Sequence, residues 1–218
     1  MITVWAVFNG DKYDDDEVFI LRDQVARHLR QSHRFVCLAD RNIKGINCVQ
    51  TEENWPGWWA KLLLFRYSTG FNLYLDLDCV VVGPLDGLVN RSLSMPANWA
   101  QSGHGGCQSS VMAWGVPYRS IPDGFDVDLL DPPTDGNCGL YRGMWGDQEY
   151  ITSLYGNPGA GRIHAMQGIY SYKYHCQDGA PPADASVICF HGDPKPDQVT
   201  DAWAIQSRCT LTPHSRTN

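Results

Sequence analysis

The sequence of 218 residues has no hydrophobic run long enough to cross a membrane. A transmembrane helix needs roughly 18 or more consecutive apolar residues. Residues 1–5 also lack the basic segment and the long apolar stretch that begin a secretory signal. We therefore expect a protein that is neither inserted in a membrane nor secreted.

Cys-x-x-Cys pairs are absent as well. The eight cysteines occur singly along the chain, which excludes a zinc site built from such pairs. Several of them lie in apolar segments, such as Cys37 and Cys189, where a reduced thiol behaves as a small hydrophobic side chain. The expected compartment is therefore reducing, namely the cytoplasm, or the host cytoplasm if the chain is encoded by a virus.

Three common catalytic motifs are missing. The chain has no Gly-x-Ser-x-Gly elbow, no His-Glu-x-x-His pair and no Walker lysine, which excludes the usual hydrolase, metalloprotease and ATPase classes.

Positive charge is also scarce, with 17 Lys and Arg against 24 Asp and Glu and a net charge of -7. This balance disfavours long-range attraction to nucleic acid, although a local basic cleft stays possible.

The composition is that of one folded domain. Hydrophobic residues make up 43% of the chain and aromatic residues 11%, which is too rich for intrinsic disorder. The length is close to the roughly 100–200 residues of a typical domain. We expect residues 1–218 to form a single catalytic domain.

The pattern of apolar residues predicts an α/β domain with parallel strand pairing. A strand at residues 2–8 is followed by an acidic helix start at residues 14–17 and by a second strand at 35–38. Later expectations are a buried helix at 58–67, strands at 72–77, 79–82, 111–114 and 186–190, and a short helix at 147–154. Residues 92–146 are expected to be mostly long loops, which in compact domains are usually functional.

Two carboxylates stand out at the end of a predicted strand. Asp76 and Asp78 are two positions apart, so strand alternation predicts that they share one face with Tyr74. Hard oxygen ligands of this kind suit Mn²⁺ or Mg²⁺, which commonly complete their coordination with substrate phosphates. The alternative is a strand end with two solvated acids, because so short a motif is not specific.

A second polar segment follows the last predicted strand. His191 could be a third metal ligand, Gly192 allows backbone N–H groups to approach a phosphate, and Lys195 adds a positive charge. Taken alone, this segment would more often be a turn with a surface lysine.

Five short segments in order carry a family resemblance. They are Trp-Trp-Ala-Lys-Leu at 58–62, Leu-Asp-Leu-Asp at 75–78, Ser-Ser-Val-Met at 109–112, Gly-Asp-Gln at 146–148 and Phe-His-Gly-Asp-Pro-Lys-Pro at 190–196. Their order and approximate spacing resemble the glycogenin-like, retaining glycosyltransferases of the GT-A fold. The resemblance covers residues 2–196 and implies a Rossmann-like domain with a mainly parallel central sheet flanked by helices. The chain resembles a compact bacterial or phage-type member.

The resemblance implies a role for each matching residue. Asp76, Asp78 and His191 match the family's ligands to Mn²⁺, which Mg²⁺ could replace. Tyr13 would stack on the nucleotide base, and Asp40 would contact base or ribose. The full donor-binding set that the resemblance implies is Asn9, Tyr13, Asp40, Lys61, Asp76, Ser109, Gly192 and Lys195.

The resemblance also implies catalytic roles for Lys61, Asp147 and Gln148 beside the transferred sugar. The alternative for Lys61 is a helix lysine that extends to solvent, and for Asp147 it is a helix N-cap. The chain departs from its relatives at Gln108, where Asn is common, and at Ala39, where a hydroxyl residue precedes the acid.

The expected activity is metal-dependent transfer of a hexose from a UDP-sugar, with UDP-glucose as the expected donor, to an acceptor hydroxyl with retention of configuration. No membrane partner is expected. One alternative keeps this chemistry with hydroxymethylated DNA bases as acceptors. The basic residues that could form a DNA-binding patch are Arg27, His28, Arg30, Arg34 and Arg41.

Two other classes stay open at this point. A sugar nucleotidyltransferase would normally carry a Gly-rich phosphate loop early in the chain, and Asn9-Gly10-Asp11 is not one. A non-catalytic module that binds sugar and calcium could use Asp126, Asp128 and Asp131, but a complete calcium loop with its bidentate Glu is missing.

Overall fold

The computed structural model describes residues 1–99, 106–134 and 136–209. The strands are β1 (Ile2–Phe8), β2 (His33–Ala39), β3 (Cys48–Gln50), β4 (Asn72–Leu75), β5 (Cys79–Val81), β6 (Ser94–Met95), β7 (Val111–Trp114), β8 (His164–Ala165), β9 (Ile169–Ser171) and β10 (Val187–Cys189). The helices are α1 (Asp15–His28), α2 (Leu64–Tyr67), α3 (Ser120–Asp123), α4 (Asp147–Tyr155), α5 (Tyr172–His175) and α6 (Ala202–Ser207). Short 3-10 helices span Gly57–Leu63, Asp86–Leu88 and Val127–Leu129.

The central sheet has seven strands in the order β3-β2-β1-β4-β7-β6-β8. Parallel pairs join β3 to β2, β2 to β1, β1 to β4, and β6 to β8. Only β7 runs against its neighbours β4 and β6 in this sheet. The expected α/β fold with a mainly parallel sheet is confirmed.

The two faces of the central sheet are covered by different elements. Alternate residues of β1 such as Val4 pack with Leu21 of α1 on one face. Trp5 points the other way and belongs to an aromatic-rich cluster with Trp59 and Phe65. Because side chains alternate along a strand, a central strand covered on both faces is apolar almost throughout. This explains the unbroken apolar run of β1.

Two expected elements differ from the sequence analysis. The helix expected at 58–67 consists of the 3-10 helix Gly57–Leu63 followed by α2. The strand expected at 72–77 ends at Leu75, and the chain then turns, with the Cys79 N–H donating to the carbonyl of Asp76 at 3.0 Å. Strand alternation therefore does not govern Asp78, since a turn separates it from β4.

A second, three-stranded sheet has the order β5-β10-β9. Strand β10 runs antiparallel to β5 and parallel to β9. The Phe190 N–H donates to the carbonyl of Asp78 at 3.1 Å, so the segment after β10 lies beside the turn after β4.

The region expected to be mostly loops, residues 92–146, contains β6, β7, α3 and one 3-10 helix. Its residues 100–105 and 135 lie outside the described part of the chain. Among the residues described, no helix is both long enough and apolar enough to span a membrane.

Candidate active site

A cavity of about 430 Å³ opens at the carboxyl ends of β1 and β2. Ligands of open α/β sheets usually bind outside the carboxyl ends of the strands. The polar residues of the cavity wall are Asn9, Asp40, Arg41, Thr51, Glu53 and Asn54. The wall therefore offers both hydrogen-bond donors and acceptors to a polar ligand.

Asn9 and Asp40, both expected at the donor site, lie together in this wall. The Asn9 side-chain amide donates to the carbonyl of Trp55 at 2.7 Å. The Gly10 N–H donates to Oδ2 of Asp40 at 2.7 Å, and Gly10 has a φ of 73°, which glycine adopts without strain. These bonds fix the loop after β1 against the end of β2.

Sequence reasoning named Arg41 only as part of a possible DNA-binding patch and did not place it in this cavity wall. Its Nη1 donates to Oδ1 of Asp40 at 3.3 Å, and its guanidinium lies 4.2 Å from the ring centroid of Phe8. The available signal was its position directly after Asp40, at the carboxyl end of a parallel strand. Arg41 gives this wall of the cavity a fixed positive charge.

Tyr13 does not line the cavity. Its hydroxyl donates to Oδ2 of Asp78 at 2.8 Å. Burial and the charge of Asp78 raise the pKa of Tyr13 far above its usual value, so the phenol keeps its proton. The expected stacking of Tyr13 on a base stays a prediction.

A buried charge cluster forms around Lys61, which lies in the 3-10 helix Gly57–Leu63. The Lys61 Nζ donates to Oδ1 of Asp76 at 3.1 Å and to Oγ of Ser109 at 3.3 Å. It also lies 3.7 Å from Oδ2 of Asp147. Lys61 is only 6% exposed, so the alternative of a lysine reaching solvent is wrong. The structure brings these four expected site residues together.

The pKa values in this cluster follow from burial and charge. Burial alone would lower the pKa of Lys61, but the carboxylates of Asp147 and Asp76 raise it above its usual value. Burial opposes ionisation of Asp76, yet Lys61 and a hydrogen bond from Tyr74 hold its pKa below the usual value. Asp147 has its pKa raised by burial, against the attraction of Lys61. The two carboxylates thus respond differently to one shared ammonium.

Tyr74 is a second residue that sequence reasoning did not assign to the site. Its hydroxyl donates to Oδ1 of Asp76, and Lys61 Nζ lies 5.4 Å from its ring centroid. The signal was present, because strand alternation had placed Tyr74 on the face of Asp76. The buried Tyr74 therefore helps to fix the position of the Asp76 carboxylate.

Asp147 is the first residue of α4, and Gly146 is the N-cap, so the alternative of Asp147 as an N-cap is wrong. Its Oδ2 is buried and has no hydrogen-bond partner among the described residues. Gln148 follows it on α4 and is half-buried. Beside them lies the buried indole Nε1 of Trp58, for which the described part of the chain likewise offers no hydrogen-bond partner. This nitrogen would be 3.4 Å from a Cβ atom on Gly146. Sequence reasoning gave Trp58 no role.

Asp78 faces the segment after β10 instead of Lys61. The Lys195 Nζ donates to Oδ2 of Asp78 at 2.6 Å and to the carbonyl of Phe190 at 3.4 Å. Asp78 is buried, whereas Gly192 is exposed with a φ of 71°. Asp78, Lys195 and Gly192 therefore lie on neighbouring segments, and the roles that the resemblance implied for them stay predictions.

His191 contacts one hydroxyl group and two aromatic rings. Its Nε2 is 2.6 Å from Oγ of Ser171. Its ring stacks on those of Trp99 and Tyr174, with centroid distances of 5.7 Å and 5.8 Å. Burial and the nearby ammonium of Lys173 lower the pKa of His191. A neutral imidazole is the form that can bind a metal.

The three expected metal ligands are not gathered around one point. Asp76 binds Lys61, Asp78 binds Lys195, and His191 contacts Ser171. Across residues 1–99, 106–134 and 136–209, no group of three His, Cys, Asp or Glu side chains is placed to hold a metal ion. The donor chemistry nevertheless fits Mn²⁺ or Mg²⁺, because two carboxylates that each attract a cation lie at one strand end. The ligand set stays a prediction.

Comparison with solved structures shows which known fold this chain shares. No family model matches the chain, and no curated protein does. Its structure is similar to that of the galactosyltransferase LgtC in complex with donor and acceptor sugar analogs, with a TM-score of 0.64, 15% identity, and coverage of 99% of this chain and 98% of that one.

This chain is also similar to part of two longer glycosyltransferases. GlyE of Streptococcus pneumoniae TIGR4 matches with a TM-score of 0.63 and 15% identity, over 96% of this chain and 60% of that one. The bifunctional glycosyltransferase WbbM matches with a TM-score of 0.60 and 14% identity, over 96% and 50%. The fold of this chain is therefore the GT-A fold that these glycosyltransferases share.

Proposed function

We propose that this chain is a metal-dependent, retaining hexosyltransferase that uses a UDP-sugar, with UDP-glucose as the first donor to test. The observation that carries the proposal is the arrangement around Asp76 and Asp78. Each carboxylate forms an ion pair with a different lysine, Lys61 or Lys195. Both carboxylates follow the carboxyl end of β4, in the same sheet as β1 and β2, whose carboxyl ends form the polar cavity.

The cavity beside β1 and β2 is proposed to bind the nucleoside. Asn9 and Asp40 lie in its wall, and a nucleoside offers both ring amides and ribose hydroxyls to such groups. Arg41 adds a positive charge at the rim. The base then points away from Asp76 and Asp78, and the diphosphate extends toward them.

The diphosphate is proposed to lie over Gly192 and Lys195. When bound, Mn²⁺ held by Asp76, Asp78 and His191 would neutralise charge on the departing diphosphate. Lys195 now bonds to Asp78, and its ammonium would donate to a phosphate oxygen when the donor enters. Gly192, which is exposed, leaves its backbone N–H open to the phosphate.

The transferred sugar is proposed to lie beside Lys61, Asp147 and Gln148. The sugar–phosphate bond breaks, the electron pair leaves with the diphosphate, and the acceptor oxygen bonds to the anomeric carbon on the same face. The diphosphate takes the acceptor proton. Asp147 stabilises the positive charge that develops on the sugar, either by charge alone or as a transient nucleophile.

The acceptor is any hydroxyl compound that reaches this sugar, and the arginine side chains give no support to a DNA acceptor. Arg27 donates to the carbonyl of Cys209 at 2.7 Å, Arg34 to Oγ1 of Thr3 at 3.0 Å, and Arg41 to Asp40. These residues are thus used in separate contacts within the chain.

The proposal is tested by following UDP-glucose and UDP-galactose with nuclear magnetic resonance in the presence of Mn²⁺. We expect release of UDP and a first-formed product with the same anomeric configuration as the donor. Asp147→Asn should lower the rate by at least about 100-fold. Full activity of that variant contradicts the role of Asp147. Formation of UTP and a sugar 1-phosphate when pyrophosphate is added would instead indicate a nucleotidyltransferase.

A further inference from the structure

Lys173 is a cation beside the candidate site that no motif singled out. It is the second residue of the short helix α5 (Tyr172–His175), which follows β9 without a loop. The side chain is partly exposed, so a ligand in solution can reach it.

The sheet topology explains why Lys173 lies near the segment 190–196. Strands β9 and β10 are parallel, with Ser171 opposite Cys189, so the residues that follow each strand emerge side by side at the same edge. Tyr172 stacks on Phe190 with ring centroids 4.3 Å apart. This stacking holds α5 against the start of the segment.

The ammonium of Lys173 lies directly over Gly192. A Cβ atom built on Gly192 would be 2.9 Å from Lys173 Nζ, closer than real Cβ contacts. Gly192 also has a φ of 71°, which side-chain-bearing residues rarely adopt. The positive φ therefore favours glycine at this turn, and the short Cβ distance shows how close the Lys173 ammonium lies to Gly192.

Lys173 differs from the other two lysines of the site in its partners. Lys61 and Lys195 each bind a carboxylate. For Lys173, the described residues provide neither a carboxylate within ion-pair distance nor a side-chain hydrogen bond. Its positive charge is therefore available to an anion from solution.

The charges of the site leave room for this third ammonium. The three carboxylates of Asp76, Asp78 and Asp147 outnumber the two ammonium groups of Lys61 and Lys195 that they contact. A bound diphosphate brings at least two further negative charges. Lysine, as a compact charge on a flexible stem, is well suited to a phosphate that arrives and leaves in each turnover.

We propose that Lys173 and Lys195 form a two-lysine clamp that binds the diphosphate of the donor from two sides of the Gly192 turn. This inference rests on the proposed function and adds a diphosphate-binding residue to it. The ligand class is a nucleoside diphosphate or its sugar ester, and the clamp contacts phosphate oxygens only.

Isothermal titration calorimetry on the full chain with Mn²⁺ present tests the clamp. The probes are UDP and uridine, and the variants are Lys173→Gln and, as a matched control, Lys44→Gln at an exposed lysine in the loop after β2. A charge-assisted hydrogen bond to phosphate predicts that Lys173→Gln weakens UDP binding at least about 10-fold. Uridine binding should be unchanged in both variants, and UDP binding should be unchanged in Lys44→Gln.

Each outcome bears on the clamp. Equal affinity of Lys173→Gln and the unmodified chain for UDP overturns it, and so does an equal loss of UDP and uridine binding, which would indicate a structural role. If Lys173→Arg, which keeps the charge, restores UDP affinity, the clamp is supported. If the unmodified chain binds UDP no more tightly than uridine, both the clamp and the proposed function are wrong.

Discussion

Replacing Lys61 by Met should destabilise the protein strongly, because two buried carboxylates share its ammonium. Oδ1 of Asp76 lies 3.1 Å from Nζ, and Oδ2 of Asp147 lies 3.7 Å from it. Lys61 and Asp147 are 6% and 4% exposed, so water cannot easily replace the lost charge. Met keeps most of the side-chain volume, which separates the effect of charge from that of a cavity.

The size of the effect can be worked out from these distances. The two carboxylate oxygens are at most about 7 Å apart, and unit charges at that distance repel by about 2.4 kcal/mol at an effective dielectric constant of about 20. Removing one partner of a buried ion pair costs about 3–5 kcal/mol in total. We expect that loss in the free energy of unfolding, which for a chain of this size lowers Tm by about 6–20 °C.

Urea denaturation and scanning calorimetry would measure this loss. In the double variant Lys61→Met with Asp147→Asn, the repulsion is removed, so about 2 kcal/mol should return. The exposed control Lys44→Met should change stability by less than about 0.5 kcal/mol. A loss below about 1 kcal/mol for Lys61→Met, or no recovery in the double variant, would refute the shared-ammonium account.

Two further predictions concern Asp147 and Asp40. Because burial raises the pKa of Asp147, its carboxyl group stabilises the folded state at acid pH, and this stabilisation is lost as pH rises. Asp147→Asn should therefore increase Tm at pH 7 in calorimetry. A lower Tm would contradict this. The rate of the unmodified enzyme should fall as acidification protonates Asp147, a limb of the pH–rate profile that Asp147→Asn should lack. Asp40→Ala frees the Gly10 N–H, whose bond to Asp40 is 2.7 Å, and should weaken uridine binding about 10-fold in calorimetry; unchanged affinity would remove Asp40 from the nucleoside site.

The local patterns of the chain predict those elements that carry one hydrophobic pattern over their whole length. Strand β1 runs from Ile2 to Phe8 as the apolar run predicts, and α4 begins at Asp147. In both cases one periodicity decides the structure over the whole segment. The resemblance placed Lys61, Asp76 and Asp147 in one site, but it did not predict that Lys61 lies between the two carboxylates.

The contacts that were not predicted depend on pairing between distant segments. Lys173 reaches Gly192 only because β9 pairs with β10, and three-residue strands give too short a pattern to recognise. Tyr13 bonds to Asp78, 65 positions away, instead of lining the cavity. The prediction that Asp78 shares a strand face with Asp76 is wrong, because β4 ends at Leu75 and the chain then turns. Such details are set by tertiary packing.

The measurement that tests the central claim most directly is release of UDP from UDP-glucose, with and without Mn²⁺, by the unmodified chain and by Asp78→Ala. Asp128→Ala, at an exposed acid outside the site, is the matched control. The account predicts UDP release that requires Mn²⁺, is lost in Asp78→Ala and is kept in Asp128→Ala. UDP release that is equal with and without Mn²⁺, or that survives in Asp78→Ala, would contradict it.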